Sequence, residues 1–209
     1  MSMRGKFITL EGLEGVGKTT NRQFVEALLD DANIAFVGTR EPGGTPLGES
    51  LRELVLAADG QVDDVTELLL MTASRVEHIA RVIEPALTAG KWVLCDRFLD
   101  ASIAYQGAGR QLGVERVAEL HALMGVTLEP DLTILLDMPV QEGLERMAAR
   151  SEPDRIEREA HAFFERARAA YLQRASDAPE RVVVIDAGRS LELVQESVRQ
   201  ALQPILSEG

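Results

Sequence analysis

Apolar residues in this chain gather into short, nearly continuous runs separated by longer stretches of helical period. Runs rich in branched side chains occupy residues 7–10, 34–37, 92–95, 132–136 and 182–185. Continuous runs, as opposed to alternating ones, are what strands covered on both faces require. The clearest helical pattern spans 65–87, where Val65, Leu68, Leu69, Thr72, Val76, Ile79, Ala80, Ile83 and Leu87 form one stripe that Ala89-Gly90 ends. Strands alternating with helices predict right-handed crossovers and an α/β fold: a five-stranded parallel sheet flanked by helices on both faces. No repeat or linker interrupts the pattern, so residues 1–209 read as a single domain. Ligands of such sheets bind beyond the carboxyl ends of the strands, and the informative residues are found there.

The first run leads into Gly12-Leu13-Glu14-Gly15-Val16-Gly17-Lys18-Thr19-Thr20, which fits the phosphate-loop pattern and opens an amphipathic helix. The glycines let the backbone curl until several N–H groups face one anion, and the new helix aims its positive end at the same place. Lys18 is placed to bridge the β- and γ-phosphates of a nucleoside triphosphate, and the Thr19 hydroxyl to hold Mg²⁺. After the second run comes Thr39-Arg40-Glu41-Pro42-Gly43-Gly44-Thr45, a stiff turn that admits a cis bond before Pro42. Arg40 and Glu41 in it read either as site residues or as a surface ion pair.

The third run ends in Asp96-Arg97. A carboxylate there is placed to orient Mg²⁺, and Arg97 would be buried without a partner until an anion arrives. Ser102, Tyr105 and Gln106 offer polar contacts on one helical side. Asp137, before Pro139, reads as a helix cap rather than a chemical group. Arg146 and Arg150 share a helical face just before a break at Ser151-Glu152-Pro153, and Asp154 is placed to cap the next helix. Arginines around such a break suit an anion-closing lid over about 146–158, although a plain charged surface has the same spelling.

Charge and composition narrow the class. A net charge of −12 argues against nucleic acid or an anionic membrane as partner. The acidic pairs Asp30-Asp31 and Asp63-Asp64 read as solvated surface. The single cysteine, Cys95, lies within an apolar run and reads as a buried structural thiol. With 45% hydrophobic residues, no apolar signal segment and no bilayer-length apolar stretch, the chain reads as soluble and cytoplasmic. The guanine-reading Asn-Lys-x-Asp is absent, which disfavours a regulatory GTPase.

The blocks 10–20, 39–45 (Thr39-Arg-Glu-Pro-Gly-Gly-Thr45), 96–98 (Asp96-Arg-Phe98), 104–107 (Ala104-Tyr-Gln-Gly107) and 154–157 (Asp154-Arg-Ile-Glu157) together resemble bacterial thymidylate kinases, over nearly the whole length. The resemblance implies a homodimeric phosphate-loop enzyme that transfers the γ-phosphoryl group of ATP to dTMP with Mg²⁺. It implies ATP on Gly12 to Thr20, with Gly188-Arg189 near adenine and Arg146 on the same side. For dTMP it implies Glu14 near the sugar 3′-hydroxyl, Arg97, Arg40 and Arg52 at the phosphate, and Arg75 at the thymine edge. Pro42, Met71, Ser102, Tyr105 and Gln106 would surround base and sugar, with Met71-Thr72 where the family usually has phenylalanine. Mg²⁺ would take Thr19, Asp96 and Glu41. The acceptor phosphate is mostly dianionic at neutral pH, its second pKa being about 6, so no general base is required. The loop carries no arginine, so the missing charge falls to the lid, to Arg150 first and Arg155 second.

Overall fold

The structure, a computed structural model, describes residues 4–56, 62–149 and 154–207. Five parallel strands, β1 (Phe7–Glu11), β2 (Phe36–Arg40), β3 (Trp92–Asp96), β4 (Leu132–Asp137) and β5 (Val182–Asp186), form one sheet in the order β2-β3-β1-β4-β5. The expected sheet is present, with strand 2 displaced toward its carboxyl end. It begins at Phe36 and runs through Arg40, because its register against β3 pairs Phe36 with Trp92 and Arg40 with Asp96. Backbone pairing thus carries the strand past its apolar run into the polar residues of the site. Full burial on both faces holds for β1 and nearly for β3 and β4, but the outer strands β2 and β5 are partly open.

The connections are α1 (Lys18–Asp31), α2 (Pro46–Leu56), α3 (Asp64–His78), α4 (Glu84–Thr88), α5 (Leu99–Ser102), α6 (Val114–Leu123), α7 (Val140–Ala148), α8 (His161–Asp177) and α9 (Leu191–Leu206). Helix α1 packs against α9, and the odd and even positions of β1 serve different faces. Ile8 and Leu10 join the cluster that includes Val25, Leu29, Val198 and Leu202, while Phe7 joins Ile83, Leu87 and Phe98. Each of these side chains, fully removed from water, contributes roughly 1.5–3 kcal/mol.

The pattern over 65–87 is not one α-helix. A π-helical segment, Ile79–Ile83, separates α3 from α4, and Asp63 caps α3 by accepting from the Val65 and Thr66 amides. The buried face of α3 is also not the expected apolar stripe. Val65, Leu69 and Val76 are exposed, whereas Glu67, Leu68, Met71, Thr72, Ser74, Arg75 and His78 are buried. Polar partners from neighbouring elements override the hydrophobic period here.

Asp137 does not cap α7. Its carboxylate takes two 2.8 Å hydrogen bonds from the Arg168 guanidinium, and α7 starts without a side-chain cap. Asp154 caps a turn and not a helix: it accepts from the Ile156 and Glu157 amides while Glu157 accepts from the Asp154 amide, and α8 begins only at His161. The break at 151–153 lies outside the described residues. Cys95 is fully buried, as expected.

Beneath the sheet end lies a polar layer that the apolar runs conceal. Arg181 bonds both Asp100 and Thr133, and Thr133 meets Thr9 at 2.8 Å. Glu11, fully buried, accepts from the Phe98 amide and from the Tyr171 hydroxyl, both at 2.7 Å. Burial, followed by the nearby Asp100 charge, pushes the Glu11 carboxyl up to about 7. Native Glu11 therefore holds a proton that the unfolded chain releases near pH 4.5. Its stability contribution is greatest at acid pH and is lost as pH rises toward about 7, by a total on the order of 3 kcal/mol. Urea unfolding of Glu11→Gln and the parent at pH 5 and pH 8 should show the variant gaining on the parent as pH rises. Parallel stability curves for the two proteins would contradict that assignment.

Candidate active site

Beyond the carboxyl ends of β1, β2 and β3 lies a cavity of about 270 Å³. One wall is the phosphate loop. Gly12, Gly15 and Gly17 all have positive φ, and a Cβ on Gly15 would sit 2.0 Å from the Gly143 carbonyl of α7. Only glycine permits that backbone path and that approach. Leu13 and Val16 point into the core, so they serve the loop through their backbones. Gly15, Gly17, Lys18 and Thr19 border the cavity, while Thr20 faces solvent outside it.

The opposite side gathers positive charge. Arg40, Arg52 and Arg97 all border the cavity. Burial and then the charge of Arg40 lower the pKa of Arg52, with Arg97 adding to the effect. Such mutual repulsion is relieved by an arriving anion. Arg97, at φ 70, was expected to lack a partner, but it has one. Its guanidinium bonds the Glu14 carboxylate and the Gly12 carbonyl, and it lies over the Tyr105 ring at 4.8 Å. Glu14 also meets Lys18 at 3.4 Å, and Lys18 donates to the Gly12 and Leu13 carbonyls. Burial opposes the charge on Glu14, but Arg97 and Lys18 outweigh it and hold the carboxyl below its ordinary value.

Between these walls stand Pro42, Met71, Tyr105 and Gln106, with Ala101, Leu56, Met147, Asp154, Ile156 and Glu157 completing the lining. The bond before Pro42 is cis. The last six are residues that the sequence patterns did not single out for the substrate, since apolar and lid side chains carry no chemical signature. The Asp96 Oδ1 and Gln106 Oε1 atoms are buried without a partner in the protein. An orphaned carboxylate oxygen beside Thr19 and Lys18 suits a divalent cation, although the described residues contain no cluster of three acidic, histidine or cysteine ligands.

Several expected site residues are placed differently. Arg75 is 1% exposed and lies behind the wall, away from the cavity lining. Its guanidinium bonds Glu41, Ser102, the Phe98 carbonyl and His121. Ser102 lies behind the wall with it. Glu41 borders the cavity, but its two oxygens are engaged by Arg75 at 2.7 Å and His78 at 2.9 Å, which argues against a primary metal role. Because Arg75 can only donate, His121 accepts at Nε2 and gives its Nδ1 proton to the Val117 carbonyl. Burial and then the Arg75 charge push His121 down to about 4, so it stays neutral. Arg155 is not part of the cavity lining and bonds Glu67 and the Val55 carbonyl. To reach the transferring phosphoryl group, its expected role, Arg155 has to leave Glu67. Arg150 lies outside the described residues. Arg146 reaches the Ala187 carbonyl, and Arg189 is exposed on the same turn after β5, both beyond the cavity.

Comparison with known proteins gives the family of the chain. The family model described as thymidylate kinase matches residues 10–198. The chain belongs to the thymidylate kinase family. A thymidylate kinase of Pseudomonas putida (strain F1) is 54% identical over 206 residues, covering 98% of each chain. One from Teredinibacter turnerae is 51% identical over 205 residues, covering 98% of this chain and all of its own. The crystal structure of thymidylate kinase from Ehrlichia chaffeensis superposes with a TM-score of 0.77 at 34% identity, covering 96% of this chain and 99% of that one. The parallel sheet and its loop are thus those of a phosphate-loop thymidylate kinase.

Arg75 tests the division between wall and cavity in this family member. Arg75→Ala strips the buried Glu41 of its guanidinium partner, and should cost about 3–5 kcal/mol in urea unfolding. A loss below about 1 kcal/mol, with the damage confined to KM for dTMP, would instead make Arg75 a base contact.

Proposed function

We propose that this protein transfers the γ-phosphoryl group of ATP to dTMP, giving dTDP and ADP. The observation that carries the reading is the cavity itself, which joins a phosphate loop to a cluster of three arginines, Arg40, Arg52 and Arg97. A triphosphate on the loop and a monophosphate on the arginines would meet across Glu14. The acceptor oxygen is already anionic, so the protein supplies alignment and positive charge rather than a base.

Lys18 leaves the loop carbonyls for the donor phosphates, whose charge replaces that of Glu14. Arg97 turns from Glu14 toward the acceptor phosphate, and the freed carboxylate faces the acceptor sugar. Thr19 and Asp96 would hold Mg²⁺, which when bound neutralises charge on the donor oxygens. Met71 and Pro42 border the base, with Tyr105 and Gln106 beside it. The polarisable Met71 thioether covers a ring through dispersion. The Arg146 and Arg189 side chains, near the turn after β5, are the adenine-side candidates. Arg150 is our lid arginine for the transferring phosphoryl group.

No helix among the described residues is long and apolar enough to cross a membrane. Helices α2 and α3 pack together and expose Leu47, Leu54, Val65, Leu69 and Val76, a face that suits a second copy of the chain. Sedimentation of Leu69→Glu should then report monomer where the parent reports dimer.

ADP release measured with dTMP, dUMP, dCMP, AMP, GMP and thymidine tests the activity: dTMP should be the preferred acceptor, and release independent of any acceptor would defeat the reading. Arg150→Ala should lower kcat by about two to three orders of magnitude with KM for dTMP little changed. An unchanged kcat would remove Arg150 from the mechanism.

A further inference from the structure

Glu67 is fully buried on α3, and its carboxylate is not among the groups that line the cavity. Four donor contacts converge on it. Gln106 gives its amide nitrogen at 2.8 Å, Arg110 gives Nε at 3.4 Å and a terminal nitrogen at 3.1 Å, and Arg155 gives a terminal nitrogen. Burial opposes its charge, but the Gln106 and Arg155 hydrogen bonds and the Arg110 charge hold the carboxyl below its ordinary value. It is therefore an ionised group that can accept and cannot donate.

This settles the orientation of the neighbouring amide. A glutamine side chain can be turned either way, and its nitrogen and oxygen are told apart only by their partners. Beside an acceptor-only carboxylate, Gln106 must present its nitrogen, and its Oε1 is then left over. That Oε1 is buried with no partner in the protein, while Gln106 borders the cavity. A sealed acceptor at the wall of a binding cavity calls for a donor from whatever fills the cavity. On the thymine ring the single N–H donor is at N3. Cytosine carries a lone pair at that position, and two acceptors face to face repel.

We propose that Glu67 is a specificity-positioning residue: it fixes the Gln106 amide with the oxygen toward the base, so that rings with an imide N–H are accepted and cytosine is refused. The inference rests on the dTMP reading above and adds to it the origin of base choice. Glu67 touches no substrate and acts only through Gln106.

The test is the ratio of kcat/KM for dTMP to that for dCMP. In Glu67→Gln the new amide can donate to Gln106, which is then free to turn its nitrogen toward the base. The ratio should fall by about tenfold or more. General damage to the fold lowers both substrates together and leaves the ratio alone. Gln106→Leu removes the whole amide, both its bond to Glu67 and its free oxygen, while Arg110 and Arg155 still pair Glu67, so the ratio should fall there also. This second variant decides the matter should Glu67→Gln fail to fold. A ratio within about twofold of the parent in Gln106→Leu, or in a folded Glu67→Gln, overturns the inference. A parent that does not phosphorylate dTMP defeats the underlying reading instead.

Discussion

Positive groups that face one cavity repel each other, and a site built for two polyanions must contain several of them before either ligand is present. In this protein Glu14 stands between Lys18 and Arg97 and answers both. It does so from within the phosphate loop, whose backbone amides are turned toward the donor and whose side chains must point elsewhere. In our proposal the compensating carboxylate faces the acceptor side. Arg97 can be held in a left-handed conformation because its surroundings determine it: its amide bonds the Leu10 carbonyl, and the next amide bonds Glu11.

Sheet order is what makes that meeting possible. β1 lies at the centre, paired with β3 on one side and β4 on the other. Residues after β1 and after β3 are thus neighbours although they are far apart in sequence. The pairing of Leu10 with Asp96 puts the loop and the Asp96-Arg97 pair at the same height. β2 extends the row, pairing Arg40 with Asp96 and delivering Arg40 and Glu41. The close approach of Gly15 to Gly143 then sets α7, and with it the start of the lid segment, directly against the loop.

The strands and the loop were legible because their signals are local. The branched apolar runs mark four strands to within a residue and the second one shifted toward its carboxyl end, and glycine spacing in a phosphate loop follows from backbone geometry. Arg75 and Glu67 were not legible in the same way. Both sit on α3, a helix whose apolar period points toward Val65, Leu69 and Val76, yet those three are exposed. The burial of the polar face depends on Glu41, His121, Gln106 and Arg110, which come from other segments of the chain. Asp137 shows the same limit. Its neighbour Pro139 suggests a cap, but Arg168, 31 positions away, takes the carboxylate. An arginine in a motif is visible in sequence; the carboxylate that claims it is not.

Glu67 also bears on how the lid segment is held. Arg155 brings the turn after Asp154 against α3 by bonding Glu67 and the Val55 carbonyl. A buried carboxylate that depended on Arg155 alone would resist letting it go, because an uncompensated buried charge costs several kcal/mol, roughly 3–5 when a partner is removed. Glu67 does not depend on it alone. Arg110 approaches the same carboxylate through two nitrogens and is itself steadied by Glu159 and by the Phe163 ring. Arg155 can therefore leave without stranding the charge, and Gln106 keeps its orientation when it does. The order of substitution matters: base recognition is anchored to the pair that stays, and the lid turn to the partner that can be spared.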